Sequence, residues 1–210
     1  MKGGLLVLLW LALFSALSYF LCTLLNLQTT LLRTIFVWTL LMAFVAIFES
    51  MLLFYSTYMQ DKGKEYYKNN TCYWSEDKNV TDILSYKMYM ELYSDYSLSD
   101  KRYCKRIQNQ GSRFVLLGEL THGAFCILFV PIIFYYFIHF NELYIYLYSI
   151  IFVAIQFALI VWYLDSVFVE MYFVKNDKFW YPPLLWNVPW VLVPIYVIYY
   201  SIKELSIISQ

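Results

Sequence analysis

Residues 114–138 read FVLLGELTHGAFCILFVPIIFYYFI, a run with no lysine or arginine and a single carboxylate, Glu119. About 20 apolar residues in a helix rising about 1.5 Å each cross the roughly 30 Å of bilayer hydrocarbon, so this stretch predicts a membrane span. Four more stretches pass the same test, at 4–27, 34–57, 144–164 and 183–202. Between Lys2 and Asp61 the only formal charges are Arg33 and Glu49, and no lysine or arginine occurs between Arg113 and Lys175. Composition agrees: 61% of the chain is apolar, 22% aromatic and 14% charged, against about 25% charged in soluble domains. The expected fold is an all-α, multi-pass membrane protein, a five-helix transmembrane bundle with one long polar loop at 58–113.

That loop holds most of the charge. It carries Lys62, Lys64, Lys68, Lys78, Lys87, Lys101, Arg102, Lys105, Arg106 and Arg113, balanced by eight carboxylates. A segment at 83–93 alternates Tyr, Met and Lys and predicts an interfacial helix; the loop is too small and too tyrosine-rich to form a domain of its own. The first span begins Met1-Lys2-Gly3-Gly4, exceeds a signal-peptide core in length and lacks a small-x-small cleavage pattern, so it reads as a retained anchor. With five spans the chain ends fall on opposite sides of the membrane. The loop side collects thirteen Lys and Arg, against Arg33 and Lys203 on the other, which favours a cytosolic loop. The same loop carries the sequons at Asn69 and Asn79 and the cysteines Cys72 and Cys104, which suit a lumenal one. Orientation and the pairing of those cysteines stay open.

A carboxylate deep in a bilayer costs about 2.5–3.5 kcal/mol on insertion scales and needs a reason. Glu49 falls about 13 Å in from the loop side of the second span and Glu119 about 9 Å in from the same side of the third. Trp190, with Asn187 one turn earlier, sits about 10 Å in on the fifth span, and Gln156 about 12 Å in on the fourth. Four separated segments thus place polar or aromatic groups at one depth, which suits a polar cavity. Gln156 and Asn187 equally suit a bond to a neighbouring helix. His122 follows Glu119 by three residues on the same face, fit to share a proton or to bond a backbone carbonyl. Asp165 and Glu170 stand at a span end, and Trp180 and Trp186 read as interfacial belt. Pro189 and Pro194 predict kinks beside Trp190. Cys22 and Cys126 read as small apolar residues within spans. No nucleotide loop, nucleophile elbow, zinc-protease motif or metal-ligand spacing occurs in the sequence.

Such a set suits acid–base chemistry on an apolar ligand. A desolvated acid keeps its proton and can deliver it to a carbon–carbon double bond; a second, ionised acid removes a proton from the adjacent carbon, and the double bond shifts. A tryptophan face stabilises the intervening cation by about 2 kcal/mol in a dry site, roughly a thirtyfold gain in rate.

The stretch Asn187-Val188-Pro189-Trp190-Val191-Leu192-Val193-Pro194 resembles the Asn-x-x-Trp-x-x-x-Pro segment of the EXPERA family, in particular its emopamil-binding proteins. In the family's order there follow Glu49 with an aromatic-aliphatic run to Tyr55; Ser99-Asp100-Lys101-Arg102-Tyr103, similar to a Gly-Asp-Ser-Arg-Tyr segment; Glu119; and Gln156. The resemblance covers roughly residues 36–205. It implies a four-span domain at 34–205, preceded by an N-terminal span at 1–33 that matches the family only in character and followed by a tail at 206–210. It further implies a sterol Δ8–Δ7 isomerase of the endoplasmic reticulum membrane, with no cofactor and no metal. Catalysis would fall to Glu49, Glu119 and Trp190, and substrate binding to His122, Gln156, Asn187 and Tyr55. The partners implied are a sterol or other hydrophobic small molecule, cationic amphiphilic amines, the bilayer and a second copy of the chain, with no nucleic acid. The sequence departs from the family at Val45, where a histidine stands four residues before the second-span acid, and in its longer loop. Those departures leave a noncatalytic sterol- or amine-binding protein as the alternative.

Overall fold

The computed structural model describes residues 1–69, 71–96, 110–173 and 181–210, apart from the side chains at 49–53, 56, 67, 84, 96, 110–116, 166–173 and 181–186. The helices are α1 (Gly3–Leu24), α2 (Thr30–Asn69), α3 (Tyr86–Tyr96), α4 (Gln110–Ile138), α5 (Glu142–Phe173) and α6 (Tyr181–Ile208). Short 3-10 turns at Tyr73–Ser75 and Val80–Leu84 lie between α2 and α3. Among the described residues the only strand-like pairing is an isolated bridge between Lys2 and Asp77. Five helices (α1, α2, α4, α5 and α6) are long and apolar enough to cross a membrane. Intrahelical hydrogen bonding satisfies the backbone that a bilayer cannot. The protein is an all-α, multi-pass membrane protein.

The ends of the helices follow from local chemistry. Leu27 N–H reaches back to the Cys22 carbonyl and Asn26 N–H to that of Thr23, a Schellman closure of α1. It needs a left-handed residue, supplied by Asn26 at φ 51°. Arg33 donates from Nε to the Leu27 carbonyl at 2.8 Å, so the one cation of the first two spans is spent at their turn. Thr29 Oγ1 accepts from Leu32 N–H and caps α2. The α4–α5 turn repeats the closure with Phe140 at φ 48°, and Asn141 Oδ1 accepts from Tyr144 N–H to start α5. Pro131, Pro189 and Pro194 each lie inside a single continuous helix.

The second helix outruns its expected end at Thr57 and continues to Asn69. Its polar half is rich in helix formers and has Met59, Gly63 and Tyr66 buried at helical spacing, with Lys62–Glu65 and Lys64–Asp61 pairs one turn apart. The helix expected at 83–93 forms three residues later, because Val80–Leu84 takes a 3-10 turn and Ser85 Oγ accepts from Met88 N–H to begin α3.

Two cores result. In the membrane, α2 packs on α4, α4 on α5 and α5 along α6, around Phe36, Met42, Ile133, Phe137, Phe152 and Val197. The second core, Leu6, Val7, Tyr66, Tyr73, Ile83 and Met88, joins the start of α1 to the extension of α2 and to the loop turns. Gly3 N–H donates to the Glu76 carbonyl, Lys78 N–H to that of Met1, and the Met1 amine to that of Lys78. An added Cβ on Gly3 would run into the Tyr73 carbonyl oxygen, so this close approach requires glycine.

Candidate functional site

Between the two cores lies a cavity of about 380 Å³, within the range of small-molecule sites. Its membrane wall comprises Gly118, Glu119 and His122 of α4, Gln156, Leu159, Ile160, Trp162 and Tyr163 of α5, and Asn187 and Trp190 of α6. Val7, Trp10 and Leu11 of α1 close one side, and Trp74 with Met88, Tyr89, Leu92, Tyr93 and Asp95 of α3 roofs it. Five expected site residues from three helices, Glu119, His122, Gln156, Asn187 and Trp190, thus line one space.

Helical spacing explains the convergence. Glu119 and His122 are three apart on α4, as are Asn187 and Trp190 on α6, so each pair shares a face. Gly118 admits the Trp162 ring, whose Cζ3 lies 3.1 Å from where a Cβ would stand. On α3, Met88, Tyr89, Leu92 and Asp95 recur at helical spacing towards the cavity, while Met90, Glu91 and Ser94 are buried on other sides. This helix therefore roofs a site and packs on α2.

Behind the wall runs a closed circuit of side chains. Trp38 Nε1 donates to Gln156 Oε1 at 2.9 Å, and Gln156 Nε2 lies 3.0 Å from His122 Nε2. The Trp190 ring meets Trp38 edge-on, with centroids 5.2 Å apart and planes at 69°. It meets His122 likewise at 5.6 Å and 77°. Edge-to-face pairs are favourable by about 0.5–1.5 kcal/mol each, so Trp190 is braced on two sides. Cys126 Sγ lies 3.6 Å from the same His122 nitrogen.

At the roof, Asp95 Oδ1 accepts from Tyr73 N–H at 3.0 Å. Burial pushes its carboxyl above the ordinary aspartate value, against the pull of the Tyr73 amide and the Trp74 side chain. Burial likewise raises the Tyr89 phenol. Further out, Lys78 Nζ pairs with Glu76 and, at 2.7 Å, with Glu91. Tyr58 donates to Glu91 at 2.9 Å and Tyr66 to Glu76 at 3.3 Å. Burial lifts the Glu76 carboxyl, but Lys78 and Lys62 outweigh it and hold the group below its usual value. The same carboxylates hold the Lys78 ammonium above its ordinary value against the opposing effect of burial.

Of the other expected residues, some lie away from the cavity and some fall outside the described side chains. Tyr55 is not among the cavity-lining residues; it stacks on Tyr86 with centroids 4.7 Å apart. The backbone of Glu49 lies on α2, but its side chain is outside the described residues, as are the side chains of Glu170 and Trp186. Residues 99–104 and Trp180 are outside them entirely. Val45 packs half-buried against the membrane core. Asn69 and Asn79 are exposed, as is Asp165. Sequence reasoning missed Trp38, because in a span read as 34–57 it stands near the end where tryptophan reads as interfacial belt, whereas the apolar span at Thr30–Phe48 puts it in the middle. It also missed Asp95 and the aromatic roof, since loop residues carry no depth pattern. No family model matches this chain, and neither a curated protein nor a solved structure matches it.

Proposed function

We propose that this membrane protein binds a sterol-like ligand from the bilayer and shifts a ring double bond by protonation and deprotonation, as a cofactor-free isomerase resembling the EXPERA emopamil-binding proteins. The observation that carries the reading is the shared cavity, where Glu119, His122, Gln156, Asn187 and Trp190 meet among apolar and aromatic walls. In this scheme Glu119 and Glu49 divide the proton work. One carboxylic acid adds a proton to one carbon of the double bond, a carbocation forms at the other, and the second carboxylate takes a proton from the next carbon. The π face of Trp190 stabilises the cation between those steps. Cationic amphiphilic amines imitate that cation and bind the same space. The endoplasmic reticulum membrane is the proposed location, with a second copy of the chain as a proposed partner.

The test is the sterol profile, by gas chromatography and mass spectrometry, of cells lacking their own Δ8–Δ7 isomerase and expressing this chain. Wild type is expected to clear the accumulated Δ8 sterol and Glu119→Gln to leave it, a loss of at least a hundredfold for a proton-transfer group. An active Glu119→Gln variant would remove this mechanism. A second reading, noncatalytic sterol or amine binding, is favoured by Val45, an apolar residue where the family carries histidine. It predicts saturable sterol binding with the Δ8 sterol unchanged.

A further inference from the structure

We propose that Trp38, which is not among the cavity-lining residues, acts through Gln156 as a positioning residue that fixes the proton of His122 on Nδ1. The argument follows donors and acceptors along the chain of contacts. An indole N–H donates and cannot accept, so the 2.9 Å contact from Trp38 Nε1 requires an oxygen on the Gln156 side. With its oxygen spent there, Gln156 turns its NH2 towards His122, 3.0 Å from Nε2. An amide nitrogen also only donates. His122 Nε2 is therefore the acceptor, its lone pair is occupied, and the neutral ring carries its hydrogen on Nδ1. An Nε2–H tautomer or an imidazolium would set N–H against NH2 in a place where Trp38, Gln156 and His122 are all buried and a lost hydrogen bond goes uncompensated.

This gives His122 a role opposite to that of a base. Its Nε2 cannot take a proton without expelling Gln156, so the ring offers a donor at Nδ1. Resting on the proposed double-bond shift, proton removal then belongs to the carboxylates, and His122 orients a group that accepts. Trp190 gains its bracing from the same parts, since Trp38 and His122 both meet it edge-on.

The test is nitrogen NMR of the full chain in lipid nanodiscs, with 15N-labelled histidine. There are two histidines, and His139→Gln in the exposed α4–α5 turn assigns the signals. Wild-type His122 is expected to show an unprotonated Nε2 and a protonated Nδ1 at neutral pH; an Nε2–H or doubly protonated ring overturns the proposal. Trp38→Phe keeps an aromatic ring against Trp190 but frees the amide to flip, and the single tautomer is expected to give way to a mixture. A folded Trp38→Phe protein that keeps the pure Nδ1–H form removes Trp38 from the relay. Gln156→Met, which removes the amide altogether, is expected to lose the single tautomer too, and an unchanged spectrum there overturns the relay even if Trp38→Phe does not fold. The readout is independent of sterol turnover, so failure of the proposed activity and failure of the relay are told apart.

Discussion

In the loop region Lys78 bridges Glu76 and Glu91, with Tyr58, Tyr66 and Lys62 closing the network; between the membrane helices an indole, an amide and an imidazole do the corresponding work. The second network is buried and the first only partly so, and the first is made of full charges and the second of dipoles. The difference follows from what surrounds them. The Glu76 side chain keeps 23% of its surface exposed, so charges there can be paired and still partly hydrated. In the bilayer a full charge has no such relief, and groups whose donors and acceptors match one to one hold α2, α4 and α5 together. Damage to the first network should therefore be electrostatic and local, and damage to the second should be a matter of geometry.

The largest effect expected is from Lys78→Met. It leaves Glu76 and the 4% exposed Glu91 without their shared cation, a loss of about 3–5 kcal/mol for a broken buried pair. Amide exchange should quicken through α3 and residues 1–3 and stay slow in the membrane halves of α2, α4, α5 and α6. Equal loss of protection in both regions would break the comparison. Next comes Gly3→Ala, whose methyl meets the Tyr73 carbonyl. Overpacking of this kind costs about 1–3 kcal/mol, and the pairing of Gly3 with Glu76 should open first. If that amide stays protected, the first span is not fastened to the loop as described.

A pH scan sharpens the contrast further. The Asp95 carboxyl is raised in the folded state by burial, so the stability it contributes is present below its unfolded value and disappears as the pH rises through its folded value. Asp95→Asn keeps an oxygen for the Tyr73 amide and removes that titration. The variant should gain on wild type as the pH rises through this acidic window, read as slower exchange of α3. Glu76, shifted down, contributes in the opposite sense and is present in both proteins, so the difference reads the Asp95 titration together with its repulsion by Glu76. A flat difference across the window would mean that Asp95 is solvated at the roof.

How much of this was legible in the sequence depends on which physical constraint acts. Hydropathy over some twenty residues has one solution in a bilayer, so the five spans, and the depth shared by Glu119, Gln156, Asn187 and Trp190, could be read from spacing alone. The direction each side chain faces depends on how α4, α5 and α6 pack, and only the structure shows that His122 and Gln156 meet. Trp38 escaped because its partner lies 118 residues away. The roof escaped for a different reason: the charges at 58–96 look solvated one by one, and only the Lys78 network and the Tyr73 core make a packed unit of them. Tyr55, a substrate contact implied by the family resemblance, stacks on Tyr86 along the part of α2 that runs on to Asn69.

The smallest effect expected tests the helix ends that both regions rely on. The turns after α1 and α4 have the same Schellman closure, but one puts Asn26 and the other Phe140 in the left-handed conformation. Asparagine tolerates that conformation through its short polar side chain, whereas a left-handed backbone costs an ordinary residue about 1–2 kcal/mol. Phe140 is 63% exposed, so little packing offsets the strain. Phe140→Gly should raise stability by about 0.5–1 kcal/mol once the greater freedom of glycine in the unfolded chain is set against the relief. In a chain of this size that is a rise of roughly 2 °C in the thermal midpoint. Asn26→Gly should move it by less. A fall on Phe140→Gly would show that the exposed ring anchors the turn in the membrane interface and that its contact there outweighs the strain of the backbone.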